Sequence, residues 1–112
     1  MHNAERLLYV ALEPIVVLEL RPNCEHCNRD LPPDSVDARI CSFECTFCVT
    51  CVEQVLSNVC PNCGGGLERR PVRPREKLTA RPAGSTRVYK PADRNNHHTL
   101  VARLGGVAPE KR

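Results

Sequence analysis

Residues 24–63 read Cys24-Glu25-His26-Cys27, then CSFECTFCVTC from Cys41 to Cys51, then Cys60-Pro61-Asn62-Cys63. All eight cysteines of the chain fall in this stretch, spaced Cys24-x2-Cys27-x13-Cys41-x3-Cys45-x2-Cys48-x2-Cys51-x8-Cys60-x2-Cys63. Every cysteine has a close neighbour. A Cys-x2-Cys turn sets two sulfurs roughly 3.5 to 4 Å apart, which suits two corners of a zinc tetrahedron with Zn–S near 2.3 Å. A disulfide across such a turn is strained and closes almost no loop. The pattern therefore points to zinc thiolates rather than redox or disulfide cysteines.

Two pairs carry the turn chemistry of a zinc knuckle. In Cys60-Pro61-Asn62-Cys63-Gly64, proline sets φ and glycine takes a left-handed conformation after the second ligand. Cys24-Glu25-His26-Cys27-Asn28 repeats this with asparagine, which also tolerates that conformation. Pairing in chain order would join Cys24, Cys27, Cys41 and Cys45, then Cys48, Cys51, Cys60 and Cys63. Alternating pairing would join Cys24, Cys27, Cys48 and Cys51 as site 1, and Cys41, Cys45, Cys60 and Cys63 as site 2. Alternation is favoured. It is the cross-brace of RING-type domains, with Cys45 where those domains usually have histidine. It also gathers a knuckle, a hairpin and a helix start around one metal, as in a treble clef. Two Zn²⁺ ions use all eight thiolates. No open coordination position remains for water, which argues against zinc catalysis.

Working outward, three local elements are expected. Val16 to Leu20 has the aliphatic, β-branched composition of a strand, and Ala38 to Phe43 that of part of a short hairpin. Thr50 to Asn58 reads as a helix, opened by a Thr50/Glu53 capping box. Val52, Val55, Leu56 and Val59 give it one apolar face, and Cys51 lies at its start, where the helix dipole favours an anion. The fold class is a small, metal-dominated α+β domain with a short hairpin and one helix, flanked by poorly ordered extensions.

The 112 residues divide into an N-terminal extension (1–16), the zinc-binding domain (17–66) and a basic Pro/Arg-rich linker and tail (67–112). Leu7, Leu8, Val10 and Ala11 could line a short helix before Pro14. Residues 76–112 are polar, and are expected to be largely disordered or draped on the domain. With no Trp, two Phe, two Tyr and one Met, any core is small and needs a staple. The first twenty residues carry Glu5, Glu13, Glu19 and Pro14 and lack the marks of a signal peptide or membrane span. A cytoplasmic protein with reduced cysteines is expected. Residues 1–63 hold 4 Lys/Arg against 9 Asp/Glu, and residues 64–112 hold 12 against 4, so the front is acidic and the tail basic.

The words between the cysteines carry a resemblance. Leu18-Glu19-Leu20-Arg21-Pro22-Asn23-Cys24-Glu25, Asp30-Leu31-Pro32-Pro33, Ile40-Cys41-Ser42-Phe43-Glu44-Cys45-Thr46-Phe47-Cys48 and Cys60-Pro61-Asn62-Cys63-Gly64-Gly65 resemble the small bacterial proteins grouped as domain of unknown function 1272. The likeness covers about residues 18 to 75, and is weaker through Thr86-Arg87-Val88-Tyr89-Lys90. It implies a cysteine-rich, zinc-binding protein and no particular activity.

On function, a structural zinc scaffold that presents a surface to a protein partner is the leading expectation. Phe43 and Phe47 flank the ligands and read first as the mini-core. A second reading is nucleic-acid binding through Arg69, Arg70, Arg73, Arg75, Lys77, Arg81, Arg87 and Lys90. It lacks interleaved aromatics to stack on bases. Ubiquitin-ligase activity is disfavoured, because Glu25-His26 fills the first knuckle where an apolar residue is usual and Gly64 follows the last ligand. No catalytic constellation is recognised. His26, His97 and His98 are spare ligands, and the last two read as solvated.

Overall fold

A computed structural model of the protein describes residues 17–112. The expected extension 1–16 and its short helix lie outside the described residues. The fold is small α+β. β1 (Ala38–Ile40) and β2 (Thr46–Cys48) form an antiparallel hairpin with Ala38 opposite Cys48 and Ile40 opposite Thr46. β3 (Glu68–Arg69) pairs with the other edge of β1, giving the order β2-β1-β3. The expected hairpin is thus present.

Helix α1 begins one residue earlier than expected. It runs as α-helix over Val49–Cys51 and as wider π-helical winding over Val52–Leu56. The Thr50/Glu53 capping box does not form: Cys48 is the N-cap, and no side chain caps the helix. The chain enters α1 directly from β2, so the helix start is set by the sheet rather than by a local box. Ser57 and Asn58, with φ of 52° and 56°, end it. The apolar face is as expected: Val52, Leu56 and Val59 are buried and Val55 is half-buried. Val52, Val55 and Leu56 join Leu31, Ala38, Phe47 and Leu67 among the buried cysteines.

No strand forms over residues 17–20, contrary to expectation. Among the described residues no strand pairs with them. Their backbone groups find scattered partners instead: Glu19 N–H donates to the Glu44 carboxylate at 2.7 Å, and Glu19 C=O accepts from Gly84 N–H at 2.8 Å. Leu20 turns the chain with φ of 55°. The two phenylalanines also part company. Phe47 is fully buried inside β2, whereas Phe43 is 71% exposed on the loop between the strands.

The C-terminal region corrects the expectation of a poorly ordered extension; of disorder and draping, draping is what is observed. α2 (Arg94–Leu104) is capped by Asp93, whose carboxylate accepts from Asn95 and Asn96 N–H. Leu100 and Leu104 lie over Gly64. His97 is buried and its Nε2 meets the Val59 carbonyl at 2.8 Å, so it is not solvated as expected, while His98 is exposed. Arg112 donates to the carbonyls of Asn58 and Gly64. Among the described residues, no helix is long and apolar enough to cross a membrane.

Candidate metal centres

The two knuckles are built alike. In the first, Asn28 N–H donates to Cys24 C=O at 2.8 Å and Cys24 N–H to Arg29 C=O at 2.8 Å. In the second, Gly64 N–H donates to Cys60 C=O at 2.8 Å and Cys60 N–H to Gly65 C=O at 2.9 Å. Asn28 (φ 67°) and Gly64 (φ 78°) hold the left-handed position that the sequence reading gave them. Each turn bends because one residue accepts positive φ, and the bend brings two thiols to one side.

The sulfurs of Cys24, Cys27, Cys48 and Cys51 all lie within 4.8 Å of one another. Those of Cys41, Cys45 and Cys60 form a second such cluster. The clusters are crossed, not sequential. β2 explains why: Cys45 precedes the strand and Cys48 ends it, so three steps of about 3.3 Å along the strand set these two cysteines apart, one in each cluster. Cys63 is exposed and stands outside the tight group of three. The likeness of the two knuckles gives it the position that Cys27 holds in the first.

The donor chemistry fits a tetrahedral thiolate metal. Cys27 and Cys48 Sγ are 3.8 Å apart. A zinc–sulfur bond of about 2.3 Å requires tetrahedron edges of about 3.8 Å. Backbone N–H groups point at the sulfurs: Cys27 N–H to Cys24 at 3.5 Å, Phe43 N–H to Cys41 at 3.4 Å and Gly65 N–H to Cys63 at 3.4 Å. Such bonds stabilise thiolates. Without metal, burial pushes the thiols of Cys24, Cys45, Cys51 and Cys60 above their usual range. Burial also works against the Cys48 thiolate, but hydrogen bonds from Cys51 and the neighbouring thiols outweigh it and lower that group.

Three residues that sequence reasoning did not assign to the site hold it together. Glu25 is buried inside the first knuckle. Its N–H donates to Thr46 C=O at 2.9 Å, and its carboxylate accepts from Thr46 N–H and pairs with Arg21 at 3.0 Å. It therefore ties the first knuckle to β2. An acidic residue between two ligands is the sequence signal for this role. Asn23, 0% exposed, donates to the Cys24 and Val88 carbonyls. Arg70, 2% exposed, donates to the carbonyls of Arg21, Leu31 and Pro32. Nothing in its basic surroundings distinguished Arg70 from its exposed neighbour Arg69.

Other expected cations are also bound internally. Arg73 donates to Leu18, Arg81 and Pro82 carbonyls, Arg87 pairs with Asp30, and Lys90 reaches Asn62. Arg69, Arg75, Lys77 and Arg81 have exposed side chains. His26 accepts from Ala92 N–H at 3.0 Å through Nδ1.

Gly64 gives a local test of the second knuckle. A Cβ there would meet Leu104 Cδ1 at 2.6 Å, on a backbone with φ of 78°. Gly64→Ala is expected to destabilise the protein by about 1–2 kcal/mol through left-handed strain, and to loosen α2. Chemical denaturation with metal present checks the first effect, and amide exchange in α2 the second.

The family described as protein of unknown function, DUF1272, matches residues 17–73. An uncharacterized protein of Rhizobium meliloti (strain 1021) is 64% identical over 75 residues, covering 67% of this chain and 89% of that protein. No solved structure matches the chain.

Proposed function

Because the chain belongs to the DUF1272 family, whose description names no activity, we propose from its own geometry that it is a structural zinc scaffold for protein–protein interaction. The observation that carries this is the pair of crossed sulfur clusters, the first with two sulfurs at the edge length of a zinc tetrahedron. Cys24, Cys27, Cys48 and Cys51 hold one Zn²⁺; Cys41, Cys45, Cys60 and Cys63 hold the other. Tetrahedral four-sulfur sites take zinc or iron. Eight thiolates complete both shells, which suits a role in folding and leaves no position for a reacting water. A reducing, cytoplasmic setting belongs to this reading. The internal bonds of Arg70, Arg73, Arg87 and Lys90 support a protein partner over nucleic acid, since those cations are spent on acceptors within the chain.

Native mass spectrometry tests it. Two zinc ions per chain and no disulfide mass loss are expected. Cys45→Ser and Cys63→Ser should each empty the same site and leave the Cys24 site filled. Four disulfides, a bound iron, or one metal with four free thiols would sink the reading.

Metal affinity should also fall with pH. The metal-free thiols of Cys24, Cys45, Cys51 and Cys60 are held above their usual range, hence protonated through pH 6–8. Binding must release those protons, so lowering pH weakens it, by on the order of a hundredfold or more per unit. Competition with a chromophoric chelator at pH 6, 7 and 8, corrected for the chelator's own protons, measures the slope. A flat profile would mean that the ligands are not these thiols.

A further inference from the structure

We propose that the edge of the first knuckle, from Asn23 to Asp30, is a binding site for an extended peptide, and that residues 87–92 occupy it as a ligand in cis. This deepens the scaffold reading, on which it rests, by naming the chemistry of the partner. The partner is an extended polypeptide segment that opens with arginine.

The evidence is the bonding of the tail. Val88 N–H donates to Asn23 Oδ1 at 3.3 Å, and Asn23 Nδ2 returns a bond to Val88 C=O at 2.9 Å. Lys90 N–H donates to Glu25 C=O at 2.8 Å. Ala92 N–H donates to His26 Nδ1 at 3.0 Å. These donors alternate at positions 88, 90 and 92, the period of an extended strand. Their acceptors advance in the same direction along the knuckle, through Asn23, Glu25 and His26. The buried Asn23 side chain and the His26 ring thus complete, beside one carbonyl, what a sheet edge would offer. Main-chain bonds of this kind are how an added strand is recognised.

The remaining contacts set the specificity. Arg87 forks onto Asp30 Oδ1 at 2.7 Å and onto the Asn28 carbonyl at 2.8 Å. Pro91 lacks an N–H, but it occupies one of the alternate positions whose N–H is not used. Tyr89, also between the bonded positions, is exposed. A matching ligand therefore needs arginine first and non-proline residues one, three and five places later. The tail is also separable in chemical terms. Val88 and Ala92 are only half-buried, and the Arg87–Asp30 pair is exposed, so polar bonds dominate the attachment. The family model matches residues 17–73, which stop short of the segment that docks at this edge.

The test uses the full chain. Arg87→Glu combined with Val88→Pro removes the fork and the Val88 N–H that donates to Asn23, weakening the tail's hold and opening the edge. A fluorescein-labelled peptide of residues 85–93 is expected to bind this variant at least tenfold more tightly than wild type, where the tail competes at high effective concentration. The same peptide with proline at positions 88 and 90 is expected not to bind. Equal binding of both peptides, or no binding of the unmodified one by a variant retaining two metals, overturns the proposal. Metal content is counted in parallel, so loss of metal is distinguished from loss of the peptide site. Should the variant lose metal, wild type supplies the second measurement. Millimolar unmodified peptide is expected to speed amide exchange at Val88, Lys90 and Ala92 at least twofold and leave β1 unchanged. No change at those three amides overturns the proposal.

Discussion

Removing metal with a strong chelator is expected to unfold the cysteine-bearing domain, not merely to loosen it. Of the fourteen buried apolar residues among the described residues, six are cysteines. The others are Leu20, Leu31, Ala38, Phe47, Val52, Leu56, Val59 and Leu67, with one aromatic among them. The strands have two or three residues each, too short to stand alone in water. Structural zinc contributes folding energy of order 10 kcal/mol per site, while domains are stable by only about 5–15 kcal/mol net. Losing two sites therefore exceeds what the rest of the fold can offset. Amide NMR dispersion should collapse on chelation and return on adding two equivalents of zinc under reducing conditions. A dispersed spectrum from metal-free protein would show that the apolar core suffices.

Arg70→Ala is expected to cost several kcal/mol, because three carbonyls each lose a charged donor, at about 1–3 kcal/mol apiece. The guanidinium satisfies carbonyls of Arg21, Leu31 and Pro32 at 2.8, 3.2 and 3.0 Å. It locks the flanks of the first knuckle to the strand after the second, because Arg70 N–H also donates to Ala38 C=O at 3.0 Å. Among the described residues no carboxylate pairs with it, and burial lowers its pKa. Its attachment to carbonyl dipoles alone makes it hard to replace: lysine cannot reach three acceptors with the same planar fork. The control is Arg69→Ala, one residue earlier and exposed, expected within about 0.5 kcal/mol of wild type. Denaturant titration of both variants at saturating zinc measures the difference. Equal stabilities would remove the carbonyl cage from the account.

The contrast between Arg69 and Arg70 shows where sequence reading runs out. Both stand in the same basic run, and both were candidate phosphate contacts. Which one turns inward depends on carbonyls 38 to 49 residues away in the chain. The same holds for the two phenylalanines. Phe47 is buried because β2 is covered on both faces, and Phe43 is exposed because the loop around Cys41 and Cys45 carries it outward. Only the packed fold distinguishes them. The capping box failed for a related reason: the strand before α1 imposed a start that overrode the local signal.

What the sequence determined by itself was local. The Cys-x2-Cys spacing, with Asn28 and Gly64 behind it, encodes two knuckles, because turn geometry depends on residues within four of each other. The number and order of the cysteine pairs pointed to crossed clusters, and the clusters are crossed. The tertiary structure decided what those knuckles touch. It seated Glu25 against β2, drew His97 onto the carbonyl before Cys60, and laid the basic tail along the first knuckle instead of leaving it free. Charge and polarity in a sequence state what a side chain can bond to. Which acceptor it meets is set by chain segments brought together only once the cysteines have gathered.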